Sequence, residues 1–181
     1  MAKEWGGTLE LSSGESPRST RPASRPYLVG VSKKSAKIAA IIDGLRGRAL
    51  DAHYLGYFEC FNRQLYYEAH DVLEELWLAD RHGADGDFYK GLIQLAGAFV
   101  HLQKHLSPEY RKRMHRLRPA AALFRLAHVN LSKYPAHHEQ LDVTATRTLI
   151  EDWLGKLDAG KHEVNPFNET AAPTLPLLGN E

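Results

Sequence analysis

The segment from about Asp87 to Leu106 decides what this chain can fold into. At about 100° per residue, Phe88, Leu92, Ile93, Leu95, Ala96, Phe99, Val100 and Leu102 cover well over half of a helix's circumference. A helix apolar on most of its faces is stable only when other elements surround it, so it belongs in the middle of a bundle. Gly91, Gly97 and the alanines leave room for neighbouring backbones to approach it.

The flanking sequence supplies the neighbours. From Ser35 to about Arg46, Ile38, Ile41, Ile42 and Leu45 recur at helical spacing. A second helix from about Ala49 to Asn62 carries Leu50, Tyr54, Tyr57, Phe58 and Phe61. A third, from about Leu65 to Ala79, turns Ala69, Val72, Leu73 and Leu76 to the core and Glu68, Asp71 and Glu75 to solvent. Asp85 or Asp87 can cap the central helix. Ser107-Pro108-Glu109 reads as an N-cap with proline at the first helical position, opening a basic helix that Pro119 kinks or restarts. Leu123, Leu126, Ala127 and Leu131 continue its apolar face. Asp142 or Thr144 can cap a last helix through Leu149, Ile150, Trp153, Leu154 and Leu157, closed by Gly160.

No segment alternates with period two, and there is no internal repeat. The expected fold is all-α, a compact single-domain bundle of five to six helices over residues 35–160. Residues 1–34, rich in Ser, Arg and Pro, read as a disordered arm, and residues 161–181 as an extended tail.

Charge and composition exclude several classes. The formal charge of the 181-residue chain is +1, so no whole-molecule field steers it to nucleic acid or an anionic membrane. No apolar run approaches the roughly 20 residues of a membrane span. The single cysteine, Cys60, rules out an internal disulfide and fits a reducing compartment; with no secretory signal, the expected location is cytoplasmic. Phosphate-loop, dinucleotide-binding and serine-hydrolase motifs are absent from the sequence.

On the third helix His70, Glu74 and Trp77 fall at i, i+4 and i+7, one line on the shoulder between the apolar and solvent faces. A shoulder is where polar groups line a cleft. On the central helix Lys90, Gln94 and His101 form a narrow polar line on an otherwise apolar surface.

These blocks resemble a known family. Phe61-Asn62, Tyr66-Tyr67-Glu68-Ala69-His70-Asp71-Val72-Leu73-Glu74-Glu75-Leu76-Trp77 and Phe88-Tyr89-Lys90-Gly91-Leu92-Ile93-Gln94-Leu95-Ala96, with a later His101, are similar to the small helical "domain of unknown function 309" family. The resemblance covers about Tyr54 to Leu157 and is strongest over Phe58–Leu102. It implies a compact helical bundle, carries no activity, and marks Asn62, His70, Glu74, Trp77, Gln94 and His101 as characteristic positions. After Gln103 the chain departs from the family pattern into its basic helix.

Three readings of the polar residues stand open. The first is a pocket for a small ligand or acid–base chemistry, with His70 and Glu74 as the reactive pair and Asn62, Trp77, Gln94 and His101 as binding groups. The second is a divalent metal on His70, Glu74 and His101, although no cofactor is required. The third is a structural cluster inside a non-catalytic interaction module. In that reading the partner contacts fall to the arm and to Arg111–Arg118, whose five fixed positive charges suit phosphate, with homo-oligomerisation a further option.

Overall fold

The computed structural model describes residues 33–113 and 115–179, apart from the side chains of residues 33–35, 37 and 111–113. The expected arm lies outside the described residues, except that the first helix already starts at Lys33. Seven α-helices follow: α1 (Lys33–Asp43), α2 (Ala52–Asn62), α3 (Tyr66–Ala79), α4 (Gly86–Leu106), α5 (Pro108–Arg113), α6 (Leu117–Leu131) and α7 (Val143–Ala159). The expected five to six become seven because the basic helix ends at Arg113 and a new one starts at Leu117. Pro119 sits in the first turn of α6, where its missing N–H has no intrahelical partner to lose. None of the described helices is long and apolar enough to cross a membrane.

α4 is the buried axis of the bundle, flanked by α3 and α6, with α2 packed on α3 and α7 on α6. Phe88, Leu92, Leu95, Ala96, Ala98, Phe99 and Leu102 lose all contact with water. Phe99 meets the rings of Phe61 and Tyr66, Phe124, Trp153 and Phe167, and so touches α2, α3, α6, α7 and the segment beyond. Close approach to α6 depends on Gly91: a β-carbon there would lie 2.9 Å from Leu131 Cγ.

The helix starts show which caps the chain uses. Asp51 caps α2, accepting from the N–H groups of His53 and Tyr54, and Asp142 caps α7 by accepting from Ala145 at 2.8 Å. At α4 the cap position is Asp85, but its side chain makes no capping bond. The Tyr134 hydroxyl instead accepts from Phe88 N–H at 2.9 Å and donates to the Ala84 carbonyl at 2.9 Å.

Two short strands, β1 (His137–His138) and β2 (Leu141–Asp142), form an antiparallel hairpin between α6 and α7. Its turn residues Glu139 and Gln140 have φ of 46° and 60°. Such a turn is favoured by Asn-Gly; here non-glycine residues hold it without that signal.

Residues 161–179, expected as an extended tail, run across the bundle and contribute to its core. Phe167 and Leu175 are buried, and Leu177 bridges to Leu141. Asn165 Nδ2 donates to the Leu102 carbonyl at 2.9 Å, and Gln64 Nε2 to that of Glu169 at 2.8 Å.

Because Phe99 joins so many layers, Phe99→Ala is expected to destabilise the protein by about 3–5 kcal/mol in denaturant unfolding. A loss below about 1 kcal/mol would show that the five ring contacts are not central to stability.

Candidate functional site

Three contacts set the register between α3 and α4. Gln103 Nε2 donates to the Gln64 carbonyl at 3.3 Å, Lys104 Nζ lies 5.2 Å over the Tyr67 ring, and His70 faces Gly97. The two helices are therefore antiparallel, and the same register sets Glu74 and Trp77 alongside the Lys90–Gln94 turns. α6 faces that line from the other side: Asn130 Nδ2 donates to Gln94 Oε1 at 2.9 Å, and Leu123 approaches Gly97. A β-carbon on Gly97 would lie 3.3 Å from Leu123 Cδ1 and 3.9 Å from His70 Cδ2. Gly97 is the notch in a polar seam of α4 that runs through Gln94 and His101, with His70 on its α3 side and Leu123 and Asn130 on its α6 side.

The polar positions singled out in the sequence are distributed over distinct places. His70, Asp71 and Glu74 each bring one ligand atom within 4.8 Å of the others. His70 Nδ1 is 3.3 Å from Asp71 Oδ1. Asp71, expected on the solvent face, is only 6% exposed. α1 packs on both α2 and α3, so α3 has less open surface than its own pattern suggests.

Asn62 lies elsewhere. Its amide donates to the Leu175 carbonyl at 3.1 Å and accepts from the Leu175 N–H at 2.7 Å, clasping the C-terminal segment to the end of α2. Gln94 is tied to Asn130, which accepts from Lys133, which in turn pairs with Asp87 at 2.7 Å. Trp77 packs on the core, and its indole N–H is buried with no acceptor among the described residues.

His101 is half-buried beside the start of α6, with Nδ1 buried and unpartnered. Burial first, then the charges of Arg116 and Lys104, hold its pKa below the ordinary 6.5. It is not among the groups within 4.8 Å of His70 and Glu74, so the three donors that come together are His70, Asp71 and Glu74. They offer one nitrogen and two carboxylates, a set able to hold a divalent cation.

Asp85, His138 and Glu139 also bring ligand atoms within 4.8 Å of one another, and sequence reasoning did not single them out. His138 Nε2 bonds Asp85 Oδ1 at 2.7 Å, and its ring packs on Phe88 and Tyr134. That arrangement ties the hairpin to the start of α4. Nearby, burial and then the carboxylates of Asp85, Glu139, Asp51 and Asp80 push the Tyr89 phenol up to about 12. Cys60 is buried. The side chains of residues 111–113, central to the nucleic-acid expectation for Arg111–Arg118, lie outside the described residues.

Two outcomes follow from these placements. Asn62→Ala removes both bonds to Leu175 and is expected to cost about 1–3 kcal/mol, with faster amide exchange at Leu175 than at Leu102. Equal exchange at the two amides would argue against the clasp. The depressed pKa of His101 means that the unfolded chain binds its proton first as pH falls through 6.5. The stability contributed by neutral His101 is present above pH 6.5 and is lost as pH falls through its folded pKa. His101→Gln should flatten the stability–pH curve on the acid side, and an unchanged slope would contradict the assignment.

No curated protein and no solved structure matches the chain. Residues 54–112 match the family described as "Domain of unknown function (DUF309)". The match spans α2 to α5 and ends short of Leu157, so α6 and α7, which complete the core, lie beyond it. Over that span the chain resembles a helical family whose description assigns no activity.

Proposed function

We propose that the seam where α3 and α6 meet α4 serves as a binding groove for a small polar molecule and that His70 is its proton-transfer group. The observation carrying this reading is the convergence of His70, Asp71 and Glu74 within 4.8 Å beside the Gly97 notch. In the tautomer that donates from Nδ1, His70 is oriented by Asp71 Oδ1 at 3.3 Å, leaving Nε2 for a ligand. Asp71 thus joins His70 and Glu74, the pair that the sequence spacing suggested, as the orienting group. Glu74, half-buried one turn along, stands at the rim where it can accept from a bound hydroxyl or amine. Trp77 supplies an apolar wall. General acid–base chemistry is the reaction class that such a set supports.

A second reading places a divalent cation on the same three residues, favoured by the same spacing of one nitrogen and two carboxylate donors.

Thermal denaturation against a panel of small metabolites tests the first reading. A ligand of the groove raises the melting temperature of the wild type in proportion to its occupancy. His70→Gln and Glu74→Gln should abolish that rise while melting, unliganded, within a few degrees of the wild type. Stabilisation that survives both substitutions would remove the groove from consideration. Stoichiometric binding of zinc or manganese by the wild type, lost in His70→Gln, would replace the acid–base reading with the metal one.

A further inference from the structure

The end of the seam at His101 carries two cations with no carboxylate partner among the described residues. Several other cations do stand beside carboxylates: Arg63 with Glu59, Arg125 with Asp158, Lys133 with Asp87 and Lys156 with Asp152. Lys104 and Arg116 do not. Lys104 Nζ rests 5.2 Å over the Tyr67 ring, and the Arg116 guanidinium 5.0 Å over that of Tyr110. Both tyrosines are open to solvent, at 55% and 42% exposed. Cation–π contacts at exposed rings are weak and readily exchanged for a charged partner.

Between these cations lies a demand for an acceptor. His101 Nδ1 and Arg116 Nε are both buried and have no hydrogen-bond partner among the described residues. The charged groups acting on His101 are Arg116 and Lys104, both positive; no carboxylate is among them. Positive charge without a counter-charge, next to buried nitrogens without an acceptor, is the environment that an anionic oxygen relieves. Arg116 is also the cap residue of the 15-residue α6, whose first N–H groups add to the positive potential.

We propose that this end of the groove is an oxyanion subsite, in which Lys104 and Arg116 take the carboxylate or phosphate group of a small molecule. The proposal rests on the groove being a ligand site and names the class of ligand. His101 lies four residues from Gly97, which His70 faces, or roughly 6 Å along the helix. An anionic group held at Lys104 and Arg116 therefore places the next few atoms of the molecule against His70. The ligand class is a small carboxylate or phosphate compound bearing a hydroxyl, amine or acidic C–H a few bonds from the anion. To reach it, Lys104 and Arg116 swing off their tyrosine rings, which uncovers the nitrogens beneath.

The test follows the histidine ring signals of the full chain by NMR during separate titrations with inorganic phosphate and with acetate. A single-stranded oligonucleotide and vesicles with anionic headgroups serve as further arms. Saturable movement of the His101 signals with phosphate or acetate, together with a rise in the His101 pKa, is the expected result. Lys104→Gln combined with Arg116→Gln should weaken that binding by about tenfold or more. Lys104→Gln alone, at a half-buried position, supplies the comparison should the double variant melt early. Binding unchanged in these variants, no saturable response, or a response only to the oligonucleotide or the vesicles would each overturn the proposal. The two readings fail separately. If phosphate affinity persists in His70→Gln while no metabolite depends on His70, the oxyanion subsite stands and the acid–base role falls.

Discussion

Phe99 is where the layers of this protein meet. Its ring is fully buried, and the rings packed on it come from α2, α3, α6, α7 and the C-terminal segment. Each edge-to-face or offset contact adds a modest increment to the burial term. Their shared centre makes them cooperative, since moving one element disturbs the seat of the others. α4 can occupy the middle of the bundle because it presents apolar groups in every direction except the line through Gln94, Gly97 and His101.

That line is where α3 and α6 approach each other over α4: Leu123 and His70 both close in on Gly97. The seam is not uniform in charge. Its middle carries Asp71 and Glu74 beside His70, and one end carries Lys104 and Arg116 beside His101. Carboxylates gather at one part of the seam and cations at the other.

The architecture was largely legible in the sequence because helical periodicity is a local property. The near-continuous apolar surface of α4, the small residues at Gly91 and Gly97 and the cap at Asp142 all do in three dimensions what their spacing implies. What escaped the sequence depends on partners distant along the chain. Asp71 looked solvated because the pattern of α3 does not show what packs against that face. Asn62 looked like part of a polar cluster, but its partner Leu175 is 113 residues away. The hydroxyl of Tyr134, 46 residues from Phe88, replaces an aspartate cap that local rules favoured. The hairpin was invisible because Glu139-Gln140 lacks the glycine that usually announces such a turn. In the candidate site, the stripe of His70, Glu74 and Trp77 was readable; Asp71 as the near neighbour of His70, and the tyrosine-parked Lys104 and Arg116, were not.

The clasp between Asn62 and Leu175 has a consequence for the order of events during synthesis. Helices α2 to α6 can begin to pair while the chain is still being made, since their contacts are close in sequence. Leu175 emerges 113 residues after Asn62, and Phe167, which covers Tyr66, Phe99 and Trp153, precedes it only slightly. Until then the aromatic centre of the bundle stays open on one side, as a transient sticky surface on a nascent chain. The bundle is thus closed late, and among the described hydrogen bonds the side chain that waits longest for its partner is the asparagine at the end of α2.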